Sequence, residues 1–193
     1  MMKNIQERLN RALEKIREPG FRTDHGKVKE VNYWVFDYDP KDELIVRQWV
    51  EDVKKQNRNG NDDFQLVVHD LYDIIINDLI GEGFLEMCDE FEKSKGFEYI
   101  TKAITTAMQI NNNDESVVVQ HIEKNTPKNA IVFLTGIGKC FPILRSHKVL
   151  NNLHQEYLNV PVVLFFPGTY SGHNLRLFNK FDNNYYRAFP LVK

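Results

Sequence analysis

The sequence predicts an α/β protein in which a mainly parallel sheet of about five strands is covered by helices on both faces, giving three layers. Strand-like runs rich in β-branched and aromatic residues alternate with amphipathic helical segments, a pattern typical of parallel sheets with helical crossovers. Two of these runs are almost continuously apolar, as strands buried on both faces are. Each of the two ends in a glycine-containing loop, and such loops commonly bind ligands in open α/β sheets. The four clearest runs are 31–37, 64–69, 130–135 and 160–166.

The length of 193 residues suits a single domain, in which residues 71–123 form a helical insertion or small lobe. The net charge of −2 counts against a dedicated DNA-binding protein, which would carry a basic excess. The two cysteines, Cys88 and Cys140, form no CxxC pair, and no apolar run reaches the ~20 residues that span a bilayer. We therefore expect a cytoplasmic protein with no membrane segment.

The first half of the chain predicts a helix, a strand, a helix and a strand. Ile5, Leu9, Leu13 and Ile16 recur at helical spacing, and Pro19-Gly20 ends that helix. After the strand at 31–37, Asp39 can cap the next helix with Pro40 at its first position. That helix extends to about residue 56, and the second strand follows at 64–69.

The second half predicts a group of helices and then the remaining strands. Helices are expected at 71–79, 84–92 and 97–110, and a fourth at 115–123, where Val117-Val-Val could instead form a strand. The strand at 130–135 is followed by a helix after Pro142. Beyond the strand at 160–166, we expect a short helix at 171–179 and a closing strand at 186–192.

The loop Thr135-Gly-Ile-Gly-Lys139 invites a phosphate-binding interpretation, because glycines after a strand let amides face an anion. An anion or nucleotide site would use Gly136, Gly138, Lys139 and Asp37. The spacing matches neither GxxxxGK[ST] nor GxGxxG, so the alternative is a plain strand-to-helix turn. The core then resembles that of P-loop NTPases without a functional phosphate loop.

Other polar groups also have a simple structural explanation. Asp37 and Asp39 could hold a metal ion, but Asp39 is already explained as a helix cap. His69-Asp70 could supply acid–base groups, yet no GxSxG elbow or metal-ligand histidine spacing accompanies them. We therefore assign no catalytic residue and no metal site.

The richest candidate surface lies in the C-terminal loops, at the C-terminal edge of the predicted sheet. We expect it to combine 37–39, 136–139, 145–147 and 168–176. Tyrosine and arginine are enriched among the residues that contribute most of the binding energy in protein interfaces. The partner-binding candidates are Tyr170, Arg176, Tyr186, Arg187, Arg145 and His147. The alternative is that the aromatic residues here simply pack in the core.

Five segments in order give the chain a family resemblance. They are VFDYDPKDELIVR at 35–47, VFLTGIGK at 132–139, PILRSHKVLNNL at 142–153, PGTYSG at 167–172 and YYRAF at 185–189. Together they resemble the BrxB family of bacteriophage exclusion (BREX) defence systems over nearly the whole chain.

The resemblance implies a biological role, but it supplies no catalytic residues that could be assigned to this sequence. It suggests a non-enzymatic adaptor without a cofactor, bridging the PglZ-type phosphatase-like protein to components such as the BREX methyltransferase. It implies that any contact with DNA is indirect. The alternative is a degenerate nucleotide-binding or DNA-contacting accessory subunit of the same system.

Overall fold

The computed structural model describes residues 4–23, 32–112, 115–144, 160–185 and 188–192, with side chains omitted over 181–185. It confirms an α/β protein with a mostly parallel sheet. Five strands lie in the order β2-β3-β4-β1-β7, and β5 and β6 extend from β4. The pairs β1–β4, β3–β4 and β1–β7 are parallel, whereas β4–β5 and β5–β6 are antiparallel.

The first elements follow the local sequence signals closely. They are α1 (Ile5–Arg17), α2 (Gly20–Thr23), β1 (Tyr33–Tyr38), a 3₁₀ turn (Pro40–Asp42), α3 (Glu43–Arg58) and β2 (Gln65–Asp70). The Asp39 carboxylate accepts a hydrogen bond from the Lys41 amide at 3.1 Å, and Pro40 follows it. The predicted cap is therefore confirmed, although it begins the 3₁₀ turn that leads into α3.

Four helices then precede the third strand. They are α4 (Leu71–Gly81), α5 (Leu85–Lys95), α6 (Phe97–Ala107) and α7 (Val117–Lys124), followed by β3 (Ala130–Thr135) and the one-turn α8 (Ile137–Cys140). The alternative strand at Val117 is wrong, because Val118, Val119 and Ile122 form the buried side of a helix. Among the described residues, none of the helices is both long and apolar enough to cross a membrane.

The C-terminal strands are β4 (Val162–Tyr170), β5 (Asn174–Leu177), β6 (Phe181–Tyr185) and β7 (Phe189–Pro190). The helix predicted at 171–179 is wrong. Leu175 and Leu177 are buried while Arg176 between them is exposed, which is the two-residue period of a strand. The predicted helix after Pro142 falls mainly on residues outside those described.

The chain divides into two compact units. The first comprises Met1–Val68, Thr126–Thr135 and Leu158–Lys193, and the second comprises His69–Asn125 and Gly136–Tyr157. Residues 71–123, for which the sequence predicts an insertion or lobe, fall within the second unit.

The core of the first unit lies where α1 and α3 pack on one side of the sheet. Leu9, Ile16 and Trp49 from the helices meet Phe133 and Phe165 from the strands. Trp49 stacks on Phe133 with ring centroids 6.2 Å apart, and Phe133 lies 4.9 Å from Phe165. The alternate strand residues are buried as well, as expected for the central strands of a parallel sheet.

Candidate functional site

Asp37 of β1 joins three elements of the first unit. Its Oδ1 accepts a hydrogen bond from Arg8 Nη2 of α1 at 2.7 Å, and its Oδ2 accepts one from the Tyr170 amide at 3.0 Å. The Arg8 guanidinium also lies 4.9 Å from the centre of the Phe36 ring. Both oxygens of Asp37 are therefore engaged by groups that fasten α1 and the end of β4 to β1.

Tyr170 requires a correction, because the exposed anchor expected from the sequence is buried. Only 8% of the residue is accessible. Its hydroxyl accepts a hydrogen bond from the Ala188 amide at 3.1 Å. The same hydroxyl lies 2.7 Å from the Ala188 carbonyl oxygen and 2.8 Å from that of Gly172, to either of which it can donate. Tyr170 thus links the end of β4 to the segment before β7.

Arg176 is the expected partner-binding residue that the structure does place at the surface. It lies in β5, opposite Thr169 of β4, and its side chain points away from the buried Leu175 and Leu177. The two strands approach so closely that a Cβ at Gly168 would collide with the Arg176 carbonyl oxygen, which explains the glycine there. Its partner-binding role remains a prediction.

The loop of Gly136 and Lys139 is held by acidic residues of the second unit. Lys139 Nζ lies 2.7 Å from Asp70 Oδ2 and 3.6 Å from Asp73 Oδ1, and it sits 5.0 Å from the centre of the Tyr72 ring. Asp70 Oδ1 meanwhile caps α4 by accepting from the amides of Tyr72 and Asp73 at 3.0 and 3.2 Å.

The backbone of this loop also turns inward. Gly136 has φ +79°, and a Cβ there would collide with the Asp70 carboxylate. The amides of Lys139 and Cys140 both donate to the Gly136 carbonyl, at 3.0 and 3.3 Å. This geometry supplies a structural reason for Gly136 and Lys139, while Gly138 lies inside the single turn of α8. The P-loop-like core is not confirmed, and the nucleotide site remains a prediction.

His69, the acid–base candidate at the end of β2, is buried, with 5% of the residue accessible. Its ring meets that of His121 edge-on at 5.8 Å. Burial, and secondarily the neighbouring His121, lowers the pKa of His69 to about 4. His69 is therefore neutral near pH 7.

Four of the sequence candidates, Arg145, His147, Tyr186 and Arg187, lie outside the described residues. The described candidates fall in different units, with Asp37, Tyr170 and Arg176 in the first and Gly136, Gly138 and Lys139 in the second.

A surface that the sequence reasoning missed lies in the second unit. Helices α4, α5 and α6 form an apolar groove of about 200 Å³. The signal was available, since Phe84, Met87, Cys88 and Phe91 follow the i, i+3, i+4, i+7 pattern of one helical face. The pattern predicted the helix but could not show that its apolar face remains partly exposed.

Comparison with known proteins identifies the family. The family described as "BREX protein BrxB" matches residues 67–191. A "BREX protein BrxB" of Bacillus cereus (strain H3081.97) is 44% identical over 193 residues, covering 99% of each chain. Another of Escherichia coli O9:H4 (strain HS) is 31% identical over 191 residues, covering 97% of this chain and 92% of the relative. No solved structure matches. Full-length similarity of this order shows that the chain belongs to the BrxB family of BREX system components.

Proposed function

We propose that this chain is a non-enzymatic adaptor of its BREX system, bridging the PglZ-type protein to other components such as the methyltransferase. The observation that carries the proposal is the state of its two best chemical candidates. The Asp37 carboxylate and the Lys139 ammonium each form close ion pairs, 2.7 Å long, that hold elements of their own unit together. A carboxylate and an ammonium group that are engaged in such ion pairs are better suited to holding elements together than to taking part in a reaction.

The first partner surface of the proposed adaptor is the outward face of β5. Arg176 is exposed there, and Lys180 lies exposed in the turn that follows. A guanidinium on a rigid antiparallel strand can form bidentate hydrogen bonds with a carboxylate of a partner. We propose that this face contacts an acidic patch on another BREX component.

The test is co-expression of the tagged chain with the other BREX proteins, followed by affinity purification and measurement of the mass of the complex. We expect a stoichiometric complex containing the PglZ-type protein. Arg176→Glu should reduce its recovery about tenfold or more, because reversal replaces attraction by repulsion. Arg58→Glu, at an exposed arginine ending α3, is the matched control and should leave recovery unchanged.

Two outcomes would contradict the proposal. Recovery of the unmodified chain alone, as a monomer, would remove the adaptor function. A rise in melting temperature with magnesium and ATP or GTP at millimolar concentration would favour the nucleotide-binding alternative, because a ligand specific to the native state must stabilise it.

A further inference from the structure

The groove between α4, α5 and α6 exposes apolar surface that helices normally bury. None of the eleven residues of α5 is buried, and Phe84 and Met87 are 42% and 44% exposed. Ile100 and Ile104 of α6 also line the groove, and both are buried. A helix with an amphipathic face is stable in water when that face is covered. The groove therefore has the form of a docking site for another apolar face.

The charge around this groove indicates what kind of face would cover it. Residues 78–98 contain seven acidic and two basic residues, a net charge of −5, while the whole chain carries only −2. Because α5 has 3.6 residues per turn, Glu90 and Glu92 lie on the two flanks of the face formed by Met87, Cys88 and Phe91. An occupant must therefore bring cations to both sides of its apolar stripe.

The end of α4 adds a second acidic pair beside the groove residue Leu79. Asp78 and Glu82 are spaced i, i+4 at the C-terminus of that helix, where the helix dipole is also negative. Burial, and secondarily Glu82, raises the pKa of Asp78 above its usual range, while His121 acts in the opposite direction. This pair adds to the negative charge carried by the segment that forms the groove.

One cation of the chain already shows that the end of the groove favours positive charge. Lys95 Nζ lies 4.9 Å from the centre of the Phe91 ring and 4.4 Å from that of Tyr99, and it donates to the Tyr99 hydroxyl at 3.2 Å. The two rings meet edge-on at 5.9 Å. Aromatic faces attract ammonium and guanidinium groups in this way, so an incoming lysine or arginine would find a similar environment.

We propose that this groove binds a basic amphipathic helix of a partner protein, with apolar residues at i, i+3, i+4 and i+7 flanked by lysine or arginine. The proposal rests on the adaptor function and supplies its second partner surface. Nucleic acids and anionic membranes are repelled by the same acidic flanks. A second copy of this chain would bring the same negative groove face to face and is likewise disfavoured.

The binding test uses the full chain and two fluorescent peptides of about 18 residues, five helical turns, with the same leucine pattern. One peptide has lysine and the other glutamate at all polar positions. We expect saturable binding of the leucine–lysine peptide at low ionic strength and at least tenfold weaker binding of the leucine–glutamate peptide. Equal binding of both, or of neither, would overturn the proposal.

Surface variants locate the site without disturbing the core. Met87→Ser should weaken binding of the leucine–lysine peptide about tenfold, whereas Leu44→Ser, at an exposed leucine of the first unit, should not. Glu90→Gln with Glu92→Gln should weaken it several-fold, and Glu7→Gln with Glu51→Gln should not. Equal losses in the variants and their controls would reveal nonspecific attraction to an acidic protein and overturn the proposal.

Cys88 provides an independent measurement of occupancy. It lines the groove and is partly accessible, whereas Cys140, the other cysteine of the sequence, is 1% exposed. We expect the leucine–lysine peptide to slow alkylation of Cys88 by N-ethylmaleimide at least fivefold. An unchanged rate at saturating peptide would place the peptide elsewhere and refute the proposal.

Three further outcomes separate the possible occupants and the two proposals. If the free chain is a dimer by light scattering and Met87→Ser makes it monomeric, a second copy covers the groove and our assignment is wrong. If the peptide binds as expected but the tagged chain recovers no BREX component, the adaptor function fails while the groove remains a binding site. If a BREX complex forms but the peptide does not bind, the groove assignment alone fails.

Discussion

Replacing Gly136 by alanine tests whether the loop 135–139 needs a glycine there because the backbone packs closely against Asp70. Two costs can be read from the structure. The backbone at Gly136 has φ +79°, which costs a residue with a Cβ about 1–2 kcal/mol. The new Cβ would also displace the Asp70 carboxylate, whose capping of α4 contributes about 1 kcal/mol. We therefore expect Gly136→Ala to lower the free energy of unfolding by about 2–3 kcal/mol.

Gly83→Ala is the matched control in the same unit. Gly83 has φ +71°, but no atom of the described residues lies within 4 Å of the position of a Cβ. Gly83→Ala should therefore carry the backbone cost alone, about 1–2 kcal/mol. The difference between the two variants measures the collision with Asp70. In an Asp70→Ala background the collision disappears, and Gly136→Ala should then cost no more than Gly83→Ala.

The assay is urea unfolding followed by far-ultraviolet circular dichroism. With a slope of about 1–3 kcal/mol per molar urea, the expected loss moves the midpoint by about 1 M or more. Equal midpoints for Gly136→Ala and Gly83→Ala would refute the packing explanation. A loss for Gly136→Ala that persisted unchanged in the Asp70→Ala background would refute the assignment to Asp70.

Three further predictions test other contacts of the described structure. Tyr170→Phe should lower the free energy of unfolding by about 1–3 kcal/mol in urea titrations, because the buried Ala188 amide loses its partner; an unchanged midpoint would contradict the buried hydrogen bond. Asp37→Asn should lower the melting temperature, whereas Asp39→Asn, which retains a capping oxygen, should change it little. Lowering the pH from 7 to 4 should destabilise the protein as His69 binds a proton in the unfolded state, and His69→Leu should flatten that dependence in parallel urea titrations.

The sign and size of the His69 effect follow from its pKa. The ordinary pKa of histidine is about 6.5, and burial lowers that of His69 to about 4 in the folded protein. Between these values the unfolded state binds more protons than the folded state. The contribution of His69 to the free energy of unfolding is therefore fully present above about pH 6.5 and is lost as the pH falls toward 4. The greatest loss is about 3 kcal/mol. A stability that rose on acidification would contradict this account.

Elements with strong local signals could be predicted from the sequence. The α3 helix is predicted from the helical spacing of Leu44, Val46, Trp49, Val50 and Val53. The last four are buried, whereas Leu44 is exposed. The Asp39 cap followed from residue type and position alone. Both features depend on groups within a few residues of one another, which is why the sequence reveals them.

Features that depend on distant partners could not be predicted. Asp37 and Tyr170 are 133 residues apart in the chain, yet their hydrogen bond makes Asp37 a structural residue. The strand β5 has only Leu175 and Leu177 to indicate its period, and its pairing with β4 overrides the helical interpretation. Tyr170 was expected at the surface because tyrosine suits both interfaces and cores, and residue type does not choose between them.

The exposure of the apolar face of α5 belongs to the same class, and it matters most for the proposed function. An adaptor must bind two partners at once, each at its own surface. Opposite charges on the two surfaces prevent either partner from binding at the wrong one. The proposed face around Arg176 and Lys180 is basic, whereas the groove beside Glu90 and Glu92 is acidic. A partner whose charge fits one surface is repelled by the other. Electrostatics as well as shape would therefore determine which partner binds at each proposed surface.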